Sequence, residues 1–333
     1  MKVHRFKAMV VALGLCAATT GPALAADKVV YQLGWIPSGA NGIEYFGKAD
    51  GYFGKAQLDV EIRSGNGSSD ALTRVAAGSA DMTAVGIDAV FAAVARQKLP
   101  VRIIYSIYNK KPDAIHVATG SSIHNLKDLP GKTIATSVYS SVNVVWPLLL
   151  QKNGVDPTSV KLMKVDSGTL APLIASGQVD GALDWVTSAP GSASVLKGAG
   201  KTLREIKWSD YGYDGYGYVI VANEKFLKEK PDVARRFLDA YRKASAVAVT
   251  NPSAVGAAMA KTVSGLDAKV AGEEFSASIP LIDNEMTRKD GWGGFSPDRV
   301  KMTWEWVAKS QGLPANALDP MSIIDIKYLP PSR

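Results

Sequence analysis

The stretch Tyr31–Phe53, YQLGWIPSGANGIEYFGKADGYF, decides the fold. It starts as an apolar strand, places Trp35 two residues before Pro37, passes through Ser38-Gly39-Ala40-Asn41-Gly42 and turns helical. Strand, polar turn and helix in that order form the repeating unit of a parallel sheet covered on both faces. A large aromatic at the mouth of such a turn either packs or meets a ligand.

The same unit recurs along the chain. LDVEIRSG is followed by the helical SDALTRVAAG, DMTAVGI by DAVFAAVARQ, and VRIIYSIY closes the series. Lys110-Lys111-Pro112-Asp113 interrupts it. A strand AIHVATG then leads to a second series, in which GKTIATSV, VKLMKV and DGALDW are strands, with helices near residues 143–153 and 169–176. After Trp208, a run of tyrosine and glycine enters the strand YVIVAN; Tyr216 and Tyr218 belong to that strand, and Tyr211 and Tyr213 lie nearer a cleft. The rest is helical, with Pro231 and the pair Ser296-Pro297 marking helix starts. Such a tail is expected to pack back on the first lobe.

The expected architecture is therefore α/β with two lobes. Residues 26–110 and 213–333 form a discontinuous first lobe, and residues 111–212 form the second. Two crossings leave a cleft between them. In open α/β sheets, ligands bind beyond the carboxyl ends of the strands.

The N-terminus reads as a separate segment. MKVHRFK is basic, AMVVALGLCAA is apolar, and Ala23-Leu24-Ala25 has the small-x-small pattern of a cleavage site. Residues 1–25 are expected to be a secretory signal peptide cut after Ala25. Its removal takes away Cys16, the single cysteine, together with Lys2, Arg5 and Lys7, and lowers the net charge from +7 to +4. Disulfides, thiolate catalysis and cysteine metal sites are then excluded. A mildly basic surface without a basic block does not suggest nucleic-acid binding.

Candidate site residues fall in the turns after the strands: Trp35, Asn41 and Glu44, then Ser64, Ser68 and Ser69, then Asp88. In the second series they are Ser140, Ser141, Asp184 and Trp185, with Tyr213 on the return crossing. Helix N-termini at these turns offer unpaired N–H groups and positive potential. Each polar residue has a second reading. Asn41 and Glu44 have capping-box spacing, and Ser68, Ser69, Asp88 and Ser141 could each be an N-cap. Trp35 and Trp185 read either as packing residues or as stacking faces for a flat ligand. Signatures of catalysis are poor: SGNGSS lacks the dinucleotide fingerprint and the P-loop lysine, and no G-x-S-x-G occurs. Past residue 25, only His116 and His124 could serve a histidine-based site.

Taken together, GWIPSGANGIEYFGKADGYFGKAQLDVEI, ALTRVAAGSADMTAVGIDAV, IHNLKDLPGKTIATSV, LIASGQVDGALDW and FLKEKPDVARRFLDAYRKA resemble the type II periplasmic substrate-binding proteins of ABC transporters. The resemblance is to the branch that includes sulfonate, taurine, nitrate and thiamine-pyrimidine-precursor binders. It implies a two-lobed clamp in the periplasm that takes a small-molecule ligand and docks on an ABC permease with its ATPase. It carries the pocket to Trp35, Asn41, Ser64 to Ser69, Asp88, Ser140, Ser141, Asp184 and Trp185. The pyrimidine-synthesising relatives use cysteine- and histidine-rich motifs, so no catalysis is expected here, nor any cofactor or metal. The protein is expected to be monomeric. The pocket turns hold hydroxyls, aromatics and carboxylates, with Arg63 the nearest basic residue. That chemistry favours a planar nitrogen-containing ligand such as a thiamine pyrimidine precursor. An alkanesulfonate, taurine or nitrate is the alternative; a heterocycle-acting enzyme and a sensory ligand-binding partner are the readings from other classes.

Overall fold

A computed structural model describes residues 25–330. The expected signal peptide lies outside the described residues except for Ala25.

Apolar runs bounded by turn residues form strands β1 (Asp27–Leu33), β2 (Leu58–Arg63), β3 (Met82–Gly86), β4 (Val101–Ser106), β5 (Asp113–Ala118), β6 (Thr133–Ser137), β7 (Lys161–Val165), β8 (Gly181–Trp185), β9 (Leu203–Lys207) and β10 (Tyr218–Asn223). They make two five-stranded sheets, ordered β2-β1-β3-β10-β4 and β7-β6-β8-β5-β9. Each sheet is parallel but for one strand. β10 runs antiparallel to β3 and β4, and β5 runs antiparallel to β8 and β9. This is the two-lobed periplasmic-binding-protein architecture, with mixed sheets flanked by helices.

Helices α1 (Gly42–Ala49), α2 (Tyr52–Lys55), α3 (Ser68–Ala76) and α4 (Ile87–Gln97) accompany the first sheet, and α5 (Val142–Lys152), α6 (Leu170–Ser176) and α7 (Ala189–Gly198) the second. The tail forms α8 (Glu224–Glu229), α9 (Pro231–Ala248), α10 (Pro252–Thr262), α11 (Ala268–Ile282), α12 (Glu285–Asp290) and α13 (Pro297–Ser310). Pro231 and Pro297 open their helices as expected, since proline's missing N–H has no partner to lose at that position. Ser296 precedes α13 without a side-chain capping bond; its own N–H donates to the Tyr216 hydroxyl at 2.7 Å.

The tail does more than return to the first lobe. α9 and α10 pack on α1, while α11 lies against α7 and α13 against α5, both in the second lobe. One core joins Val90 and Phe91 of α4, Trp304 of α13 and Val145, Trp146 and Leu149 of α5. Ser310 Oγ and Gln311 Nε2 each donate to the Val144 carbonyl at 2.8 Å. A second core fills the far face of the first sheet, where Tyr31, Phe53 and Tyr241 each stack on Phe237.

Candidate binding cleft

The carboxyl ends of the two sheets face each other across a small, partly open cavity. The turn after β1 supplies Gly34, Trp35, Ser38, Ala40 and Asn41. Ser68 comes from the start of α3 and Tyr218 from the start of β10. Across the cavity stand Ser140 and Ser141 before α5, Asp184 and Trp185 at the end of β8, and Thr187 and Ser188 before α7.

The lobes are closed on one another. Ser69 N–H donates to the Tyr139 carbonyl at 3.1 Å. The Asn66 carbonyl accepts from Ser167 Oγ at 3.1 Å and from Ser137 Oγ at 3.4 Å. Gly67 has φ +141° and approaches so closely that a β-carbon there would lie 2.6 Å from the Tyr139 backbone. An L side chain is excluded at that position by both space and conformation.

The capping alternative finds no support at the residues that raised it. Neither Asn41 nor Ser141 makes a side-chain cap bond. Asn41 Nδ2 instead donates to the Tyr218 hydroxyl at 3.1 Å, and Asn41 Oδ1 is buried without a protein partner. Thr187 Oγ1 is likewise buried and unpartnered. Ser68 Oγ accepts the Gly86 N–H at 3.1 Å, fixing the turn after β3.

Among the described residues, Asp184 is the one carboxylate in the lining, and no lysine or arginine joins it there. Its Oδ1 accepts the Trp185 N–H at 2.7 Å. Burial raises its affinity for a proton, against the positive potential of His116 and hydrogen bonds from the Trp185 N–H and the Ser188 hydroxyl. The Trp185 ring stands edge-on to Tyr218, with centroids 5.2 Å apart at 79°. Tyr108 meets it at 6.1 Å. Trp35, half-buried, packs on the small core around Leu170 and Ile174 in the second lobe.

The structure therefore brings Trp35, Asn41, Ser68, Ser140, Ser141, Asp184 and Trp185 to one cavity. It places the other candidates elsewhere. Glu44 faces the first-lobe core, where its Oε1 accepts from the Tyr31 hydroxyl at 2.9 Å and the Tyr241 hydroxyl at 3.5 Å. Burial pushes that acid up to about 7. Ser64 follows the edge strand β2, away from the cavity; its carbonyl accepts from Gln32 Nε2 at 2.7 Å. Ser69 is at the cleft rim, bonded through its backbone as described, with its side chain exposed.

Asp88 and Tyr213 are tied into the crossings between lobes. The Asp88 carboxylate accepts two bonds from Lys111 Nζ, at 2.6 and 2.7 Å, and one from the Tyr213 hydroxyl at 2.6 Å. Lys111 Nζ also sits 4.5 Å from the Tyr213 ring centroid. Asp113, at the start of β5, completes the cluster. Burial pushes it up to about 7, with Asp88 adding to the rise and Lys111 opposing it. So Tyr218, not Tyr213, reaches the cavity. β10 runs antiparallel to β3, and its first residue pairs with Gly86 at the carboxyl end of that strand.

The residues missed by sequence reasoning are Gly34, Ala40, Thr187, Ser188 and Tyr218, with Ser38 noted only as part of its turn. Thr187 and Ser188 carry a signal, since two hydroxyls follow a strand-end tryptophan and precede Pro190 in the first turn of α7. His116 Nδ1 lies 3.3 Å from Ser192 Oγ, behind β8, and lines no part of the cavity. Among the described residues, no cluster of histidine, cysteine, aspartate and glutamate is arranged to hold a metal ion. No described helix is long and apolar enough to cross a membrane.

Comparison with known proteins agrees with this geometry. The NMT1/THI5 like family matches residues 41–255. A formylaminopyrimidine-binding protein of Halalkalibacterium halodurans is 27% identical over 233 residues, 68% of each chain. A 4-amino-5-hydroxymethyl-2-methylpyrimidine phosphate synthase of Saccharomyces cerevisiae is 24% identical over 243 residues, 69% of each chain. Among solved structures, the alkanesulfonate-binding protein SsuA from Xanthomonas axonopodis pv. citri, bound to MOPS, superposes with a TM-score of 0.69 at 16% identity, covering 90% of this chain and 98% of that one. The aliphatic sulphonate-binding protein SsuA of Escherichia coli gives 0.66 at 17% identity, covering 93% and 94%. At these identities the solved structures speak for the fold alone.

Proposed function

The chain belongs to the NMT1/THI5 like family, and on that premise we propose that it is the periplasmic solute-binding component of an ABC importer. It closes its lobes on a small planar nitrogen-containing ligand of the thiamine-pyrimidine-precursor type and does not transform it. Its partners are then a permease and its ATPase.

The observation that carries this reading is the chemistry of the lining. Trp35, Trp185 and Tyr218 supply aromatic surface, Asp184 and the unpartnered Asn41 Oδ1 supply acceptors, and among the described residues no cationic side chain lines the cavity. Aromatic faces suit a flat ring. Buried acceptors suit its amino and ring N–H groups, because a buried polar atom left without a partner costs free energy. An anion would instead meet the Asp184 charge at close range. Relatives named for pyrimidines support the same reading.

A sulfonate is the second reading, favoured by one feature. α3 and α5 begin at the cavity without side-chain caps, so their first N–H groups and the hydroxyls of Ser68, Ser140 and Ser141 could meet an anion.

Titration calorimetry with 4-amino-5-hydroxymethyl-2-methylpyrimidine and with taurine separates the two. Saturable binding of the pyrimidine alone is expected. Binding of taurine alone would overturn the ligand assignment and leave the clamp in place, and consumption of a bound pyrimidine would overturn the absence of catalysis.

A further inference from the structure

Glu274 belongs to α11, in the tail, and does not line the cavity. It is nonetheless 7% exposed. Its Oε2 accepts the Gly39 N–H at 2.7 Å, in the turn that carries Trp35, Ser38 and Asn41. Its Oε1 faces Gly191 in the first turn of α7, so closely that a β-carbon on Gly191 would collide with it. Gly39 and α11 belong to the first lobe; Gly191 belongs to the second. α7 begins without a side-chain cap, just after Thr187 and Ser188. The Glu274 carboxyl group lies directly beside this uncapped start.

One carboxylate thus touches both walls of the cleft from behind. The β1 turn is seated on α11 as closely as glycine permits: a β-carbon on Gly39 would lie 2.6 Å from the Phe275 nitrogen. The bond from the Gly39 N–H ties the buried Glu274 carboxylate to that turn. Its contact with α7 spans the two lobes.

We propose that Glu274 is an interlobe clasp, a positioning residue that stabilises the closed clamp by joining the β1 turn to the start of α7, and that position 191 is glycine to admit it. The clasp acts on closure, and so on ligand affinity, without touching the ligand. It rests on the reading of the cleft as a clamp that closes on a solute, but not on which solute.

A disulfide trap tests it. Asn66→Cys and Ser167→Cys, placed where Ser167 Oγ bonds the Asn66 carbonyl, are the sole thiols in a Cys16→Ser chain. Their rate of oxidation in the absence of ligand follows the population of the closed state. Gly191→Ala is expected to slow trapping about tenfold, equivalent to about 1.4 kcal/mol. Alanine is the better helix former, so α7 itself gains from the change. Circular dichroism checks that each variant folds. With Glu274→Ala in the background, Gly191→Ala should have no further effect, because the carboxylate it strikes is gone.

An unchanged rate in Gly191→Ala, or the same slowing with and without Glu274, would overturn the clasp. Adding the pyrimidine to the unsubstituted trap separates the two ideas. Failure to accelerate trapping would count against the ligand assignment, while the Gly191→Ala comparison still decides the clasp.

Discussion

Lys111 Nζ lies within 2.7 Å of both carboxylate oxygens of Asp88, and the side chains are 1% and 3% exposed. The pair sits at the first crossing between the lobes, and Tyr213 from the second crossing donates to the same carboxylate. Three segments distant in sequence therefore meet at one ion pair. Removing one partner of a buried pair leaves an uncompensated charge, at a cost of about 3–5 kcal/mol. Lys111→Met should lower stability by that order in urea unfolding at pH 8, and Lys111→Met with Asp88→Asn should recover a substantial part. A Lys111→Met protein as stable as the parent would show that the pair does not hold the crossing.

The aromatic walls of the cavity lead to a second expectation. Trp35→Ala and Trp185→Ala should each weaken pyrimidine binding at least tenfold, about 1.4 kcal/mol. Trp185 also packs on Tyr108 and Tyr218, so its variant should show a lowered thermal midpoint as well. Calorimetry and circular dichroism on the same samples distinguish the two effects. Parent-like affinity in both variants would eliminate ring stacking.

Selectivity should turn on Asp184. Asp184→Asn keeps the side chain's shape but exchanges a charge for an amide. Pyrimidine affinity should fall by about tenfold or more, since hydrogen bonds to a charged group contribute about 1.5–3 kcal/mol. Weak taurine binding should appear or strengthen. A variant that binds the pyrimidine as well as the parent would place the recognising acceptor elsewhere, with Asn41 Oδ1 the next to test.

Stability should fall as pH rises from about 4.5 to about 7. Glu44 is pushed from 4.5 to about 7 by burial, opposed by hydrogen bonds from its own backbone and from Tyr31 and Tyr241. Burial, with Asp184 adding to it and the Gly39 N–H opposing it, brings Glu274 to the same level. Between about 4.5 and 7, the folded chain holds protons that the unfolded chain has released. The unfolded state then binds fewer protons, and stability declines with pH across that window. Glu44→Gln should raise the thermal midpoint at pH 8, where it removes a buried charge, and change it little at pH 5. A Glu44→Gln protein with the parent's pH profile would rule out this acid as a contributor.

Much of this organisation is legible in the residues. The strands of the first series are runs ended by glycine or serine, and the tryptophans that line the cavity stand just after β1 and at the end of β8. What escaped notice has physical reasons. β9 is LREIK, a half-buried edge strand in which Arg204, Glu205 and Lys207 interrupt any apolar run and Ile206 alone is buried. Lys110-Lys111 looks like solvated punctuation, yet Lys111 is buried, paired with Asp88 from an earlier segment and flanked by Asp113. Tyr213 and Tyr218 share a glycine-rich setting, and only the antiparallel pairing of β10 decides which one reaches the cleft. Capping spacing at Asn41 and Glu44 misled for a similar reason. Asn41 is bonded to Tyr218, 177 positions along the chain, and Glu44 to Tyr31 in the neighbouring strand and to Tyr241, 197 positions on.

The placement of β10 has a consequence for how the protein is made. β3 and β4 are adjacent in sequence but are not hydrogen-bonded to each other; β10 fills the slot between them. The first sheet therefore cannot be completed until Asn223 is available, whereas every strand of the second sheet lies between Asp113 and Lys207. The lobe that starts first finishes last. During synthesis its two inner strand edges stay unpaired while the other lobe matures, and unpaired edges are the part of a sheet most exposed to wrong partners.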